Sequence, residues 1–267
     1  MSSNSINYAA LSGIDSVSAA VIFAILFLIA GAWFVRQTIK NTTQVHIVLI
    51  LFCAIRVTAF ILRAIMAHST SQGSNLNLFI TDQVLLAVGF FALVYSAYTL
   101  VLDRDVLAGG ERQGIFSPNL LRNARGFRLI LSVGVALGIT AVTSSTSSDP
   151  GDAATGKTLR KAGTAIFLAL TVIQLAQSVL FFSNQGYSKS SVRSWGDRNG
   201  RYLLCVVSLL MLVREVFVTA TINDASKQND ERLWYPLVVL PEFLAVLCYS
   251  VTGLVPTRAA LKKAENK

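Results

Sequence analysis

The chain has 267 residues, 53% of them hydrophobic and only 14% charged, with a mean hydropathy of +0.58. A water-soluble domain carries about 25% charged residues, so the composition excludes one and points to an all-α polytopic membrane protein. The net charge of +9 then sets orientation and touches anionic lipid, and no nucleic-acid partner is expected.

Met1–Ile14 is polar and uncharged. It lacks the basic region of a cleaved signal peptide, so the first apolar segment is expected to be retained. Seven segments follow, six of them long enough to cross ~30 Å of hydrocarbon at ~1.5 Å per helical residue, and the fourth short for it. They are 16–35, 45–67, 78–102, 127–142, 162–182, 202–222 and 233–255. Asp15 or Ser16 can cap the first. Ser117 and Pro118 read as a cap with proline at the first helical position, opening a short interfacial helix between segments three and four. Segment four is the shortest, and Gly134 and Gly138 give it a small-x-x-x-small surface for close packing. The stretch 144–158, with Asp149-Pro150-Gly151-Asp152, reads as a flexible loop. Residues 1–257 form one seven-helix domain, and 258–267 form a basic tail. Cys53, Cys205 and Cys248 all lie inside apolar segments and read as packed thiols.

Orientation follows from lysine and arginine. Fifteen lie in the loops and tail on the side of the C-terminus. Five (Lys157, Arg160, Lys161, Lys227 and Arg232) lie on the other side, and three (Arg56, Arg63 and Arg214) are embedded in segments, Arg128 at the very start of segment four being counted with the fifteen. The bias places the N-terminus outside and the C-terminus in the cytosol. The sequon at Asn41 is then cytosolic and unused.

The last two segments carry charge where lipid tolerates it least. Arg214 and Glu215 stand side by side in segment six, and Glu242 stands in segment seven. One such group at the bilayer centre costs roughly 2.5–3.5 kcal/mol, so each must face inward and find a partner. Arg56 lies at similar depth in segment two, which predicts one buried network of Arg56, Arg214, Glu215 and Glu242. Arg63 near the outer end of segment two and Asp82 near the outer start of segment three predict an ion pair. Residues seven apart share a helix face. By that rule Tyr235, Glu242 and Tyr249 form one polar stripe, and Asp82, Gly89 and Ser96 another. Thr164, Thr171 and Ser178 with Gln174 form a third, and Ser208 with Glu215 a fourth. Such stripes either glue helices together or enclose a polar cavity between segments two, three, five, six and seven. In the second case Glu242 or Glu215 faces a ligand amine, with Pro241 loosening the helix beside it.

These residues also carry a resemblance. Glu231 with Tyr235 four residues on, then Leu240-Pro241, resembles the seventh-helix region of the fungal lipid-translocating exporters, the heptahelical family of aminocholesterol resistance. Arg214-Glu215 resembles that family's sixth-helix cluster, without its second arginine. Tyr98 to Leu102-Asp103-Arg104 is similar to its Tyr-x-x-Leu-Gly-Arg, with one extra residue and Asp103 for glycine. Val238 stands where the family has an aspartate. The resemblance implies a stress-related protein of the plasma membrane or vacuole that handles sphingoid or sterol-like lipids.

Two other classes compete. Asp103-Arg104 sits where rhodopsin-like receptors place Asp-Arg-Tyr, but Asp105 replaces the tyrosine and segment seven has no Asn-Pro-x-x-Tyr, so the pair reads as an interfacial charge pair. A membrane scaffold is the third reading. Enzymes fit poorly. Seven-helix zinc hydrolases need about three histidines, and the chain has two. His46 lies at the cytosolic end of segment two and His68 in an outer loop. A retinal protein needs a lysine in segment seven, and 233–255 has none. No Walker loop, cofactor motif or metal-ligand set appears. The expected partners are membrane lipids and an amphiphilic small molecule.

Overall fold

The computed structural model describes residues 7–107, 124–145, 149–184 and 194–265, all helix and connecting turn with no strand among them. Seven helices are long and apolar enough to cross a membrane. They are α1 (Val17–Lys40), α2 (Gln44–His68), α3 (Leu76–Leu107), α4 (Ala124–Ser145), α5 (Pro150–Asn184), α6 (Gly200–Ala220) and α7 (Glu231–Tyr249). The chain is an integral membrane protein. Helices α1 and α2 pair as a hairpin, as do α4 and α5, and α3 packs between the two hairpins. In α3 67% of the apolar window is buried, against 17% in α1, so α3 is the axis of the bundle and α1 lies at its edge.

Each helix sorts its residues by solvent. In α6 the outward stripe is Val206, Leu209, Val213 and Val216, at helical spacing and exposed. Its inward face is Leu204, Val207, Ser208, Met211, Arg214 and Glu215. An apolar outer face with a polar inner one is stable only in hydrocarbon. On α1, Phe27 and Phe34 are fully buried. Phe27 packs on Phe52 and Phe60 of α2 and on Phe243 of α7. The glycine pattern of α4 does close α4 on α5. A Cβ added at Gly134 would stand 3.2 Å from Ile166, and one added at Gly163 would stand 3.4 Å from the Gly134 carbonyl.

Several boundaries depart from the sequence reading. Ser16 does cap α1, its hydroxyl accepting from the Ala19 N–H at 3.2 Å. The helix then runs past Val35 to Lys40. His68 is the last residue of α2 and not part of a loop. The stretch from Pro150 to Thr158 is helix, the first turns of the 35-residue α5. Asp149 caps it, its carboxylate accepting from the Gly151 N–H at 2.9 Å, with Pro150 in the first turn. The helical part of segment seven stops at Tyr249. Ser250–Val255 then turns through Gly253 at φ +86°, a left-handed conformation that suits glycine. The basic tail forms its own helix, Arg258–Glu265. The expected helix at Ser117-Pro118 lies outside the described residues.

Near this second end of the bundle Arg104 works as a latch. It donates to the carbonyls of Leu254 (2.9 Å) and Gly253 (2.7 Å) and pairs with Asp197 at 3.4 Å. It thereby ties the end of α3 to the turn after α7 and to the short helix Trp195–Arg198.

Candidate functional site

The charged residues of α2, α6 and α7 meet in the middle of the bundle. Arg56 Nη2 donates to Glu242 Oε1 at 2.6 Å, and Arg214 Nε approaches the same oxygen at 3.3 Å. Arg214 also pairs with its neighbour Glu215. All four residues are buried. Two positive and two negative charges thus share one site, and their attraction in a low-dielectric interior offsets desolvation that none could bear alone. The neighbours are shaped for it. Gly89 of α3 leaves room for the Arg56 guanidinium, since an added Cβ would stand 3.0 Å from Arg56 Cζ. That approach lets Arg56 Nη1 donate to the Leu86 carbonyl at 3.2 Å. The Arg214 guanidinium lies on the Phe90 ring at 3.8 Å, a cation–π contact.

One layer nearer the N-terminal side, Arg63 Nε donates to Asp82 at 3.1 and 3.3 Å. Both residues are almost fully buried. The face of the same guanidinium stacks on Trp234 at 3.7 Å. Arg63 Nη1 and Nη2 have no hydrogen-bond partner.

These two layers border a cavity of about 140 Å³ on the N-terminal side of the bundle. Its polar lining is Arg56, Arg63, Arg160, Arg214, Glu215, Gln83, Thr164, Gln228 and Asn229. The sequence reading places it between segments two, three, five, six and seven. The structure adds α4, through Gly138 and Val142, and the short helix Ala225–Asn229. Gln83, Arg160, Gln228 and Asn229 are polar lining residues that the sequence reading does not single out as site residues. Arg160 reads as an outer-loop charge only if α5 begins at residue 162, and the helix in fact begins at Pro150. Arg160 stands in the cavity wall, where its guanidinium donates to the Gln228 side-chain oxygen.

Three expected site residues stand apart. Tyr235 is not in line with Glu242. It stacks on Phe23 at 5.3 Å and on Phe60, facing α1 and α2. The reason is a π-helical turn at Tyr235–Val239, in which the Leu240 N–H reaches back five residues to the Tyr235 carbonyl. Pro236 lies within it and Pro241 just beyond it, and a proline within a helix cannot donate to the carbonyl four residues back. The wide turn holds one extra residue and offsets everything above it by about 100°. Gln174 and Tyr249 are buried with side-chain polar atoms that lack partners, and neither lines the cavity. The lower polar stripe acts as glue: Ser178 and Ser208 share a hydrogen bond at 2.8 Å between α5 and α6.

Glu231 has a separate role. Its carboxylate accepts from the Asp15 and Ser16 N–H groups at 3.2 and 2.9 Å. It satisfies the start of α1 from the start of the neighbouring α7, where a negative charge complements the helix dipole. On the far side of α2 an apolar groove of about 540 Å³ runs between α1 and α2, lined by Val17, Val21, Leu28, Phe60 and Ile65 among others.

The fold and site define a seven-helix integral membrane protein with a charged cavity among its helices. The chain belongs to the family described as a domain of unknown function (DUF7702), whose model matches residues 11–259. No curated protein and no solved structure matches it.

Proposed function

We propose that this protein is a lipid translocator that draws the polar head of an amphiphile into the cavity beside Arg56, Arg63 and Arg214 while the tail stays in lipid. The observation that carries the reading is the cavity itself, about 140 Å³ lined by both charged and apolar side chains and walled by membrane-crossing helices. Ligand sites that enclose a whole drug-sized molecule run ~300–1,000 Å³, so this one suits a head group. Ionisable residues within membrane helices are costly, and where they line a cavity they mark a substrate path. The resemblance of Glu231, Tyr235, Leu240-Pro241 and Arg214-Glu215 to the lipid-translocating exporters supports an amphiphile over a soluble solute. It also supports a role in membrane stress at the plasma membrane or vacuole. No cofactor and no catalysis are part of the proposal.

The test is reconstitution of the purified protein into vesicles that carry fluorescent sphingoid, sterol and phospholipid probes in one leaflet. An impermeant quencher then reports the leaflet. Faster exchange of any probe with wild-type protein than with protein-free vesicles supports translocation. Equal rates for every probe would leave a receptor or scaffold as the better reading.

A further inference from the structure

The sequence places a ligand amine against Glu215 or Glu242, but the geometry leaves neither carboxylate free. Glu215 is held by Arg214, Glu242 by Arg56 and Arg214, and Asp82 by Arg63. In the cavity wall and its floor four arginines therefore face three carboxylates, and the surplus charge there is positive. A fourth carboxylate, Glu231, acts on Arg63 without an ion-pair contact and is taken up by the start of α1. The surplus belongs to Arg160, whose partner is the neutral amide of Gln228. Arg63 is matched through Nε alone. Its face is taken by Trp234, both terminal nitrogens are buried and unpartnered, and Arg63 is one of the residues that line the cavity. Buried donors without acceptors are rare in folded proteins and call for a ligand or water. A guanidinium held by its Nε and stacked on an indole keeps a rigid fork of two N–H groups. That fork matches the two oxygens of a carboxylate or phosphate.

We propose that the cavity is an oxyanion site, in which Arg63 and Arg160 grip the carboxylate or phosphate of the ligand. The network of Arg56, Arg214, Glu215 and Glu242 is its floor. The proposal rests on the amphiphile reading and changes its substrate class, from a cationic sphingoid base to an anionic amphiphile.

The experiment uses the whole protein in a neutral detergent and measures binding by calorimetry. The probes are dihexanoyl phosphatidate, dihexanoyl phosphatidylcholine, sphingosine and inorganic phosphate. Arg160→Gln is the main variant, because removing Arg160 strands no carboxylate. Arg63→Gln/Asp82→Asn removes the second grip together with its counter-charge. Phosphatidate is expected to bind and phosphatidylcholine not to, and each variant should weaken phosphatidate by about tenfold or more, the worth of one charge-assisted bond. Arg160→Lys should recover part of the loss. Phosphatidate binding unchanged in Arg160→Gln overturns the site, even if the double variant fails to fold. Free phosphate binding as tightly as phosphatidate, with the same dependence on Arg160, upholds the oxyanion site and sinks the lipid reading. Sphingosine binding while neither anion does upholds an amphiphile and sinks the oxyanion site. Binding of no probe sinks both.

Discussion

Arg56 and Glu242 are 186 residues apart in the chain and 2.6 Å apart in the fold, and both side chains are buried. Removing one member of such a pair leaves a bare charge in the interior, at a cost of about 3–5 kcal/mol. Glu242→Gln is expected to destabilise by that order, because Arg56 and Arg214 both lose the negative charge they share. Arg56→Met/Glu242→Met, which removes one charge of each sign, should cost clearly less than the sum of its single variants. Chemical unfolding of the wild type, Glu242→Gln, the two single Met variants and the double Met variant in one detergent measures both. Additive losses would mean that the pair is not coupled.

Gly89 offers a second check on the same layer. A Cβ there would stand 3.0 Å from the Arg56 guanidinium, whereas one at Gly138 would meet nothing within 4 Å. Gly89→Ala should destabilise by roughly 1–3 kcal/mol, the usual cost of overpacking. Gly138→Ala should be neutral or stabilise by up to about 1 kcal/mol through helix propensity. Thermal unfolding of the two variants tests the contrast.

Arg63 and Asp82 should be coupled as well. A double-mutant cycle of Arg63→Gln and Asp82→Asn is expected to give an interaction energy of about 1–3 kcal/mol, as residues in direct contact do. A value near zero would mean that the two residues act independently.

The lysine and arginine bias predicts that the N-terminal side faces outward. Gln72, in the short helix Thr70–Gly73, is exposed on that side, and the three native cysteines lie within spans. Gln72→Cys should react with a membrane-impermeant maleimide added to intact cells, while a cysteine added after Lys267 should react only after lysis. The reverse pattern would invert the topology.

The seven spans were legible because a run of about twenty apolar residues has one stable solution in lipid, a helix. The pairs Arg56–Glu242 and Arg63–Asp82 were legible because depth can be counted along such helices and charge must be matched at each depth. The polar start of α5 was hidden by Asp149-Pro150-Gly151, which spells a turn as readily as a cap followed by a first-turn proline. Missing it hid Arg160. Tyr235 was misplaced because seven-residue spacing presumes an unbroken 3.6-residue turn, and Pro236 with Pro241 was the signal that the turn would widen. The surplus of positive charge in the cavity could be read only once each carboxylate had been assigned its arginine.

The Arg104 latch also has a timing. Its acceptors at Gly253 and Leu254 lie about 150 residues downstream. A ribosome adding roughly 5–20 residues per second needs about 8–30 s to make that stretch. Asp197, which also pairs with the guanidinium, arrives earlier, 93 residues after Arg104, so the two backbone carbonyls are the later contacts to form. The turn after α7 therefore closes the latch only after all seven spans have been made.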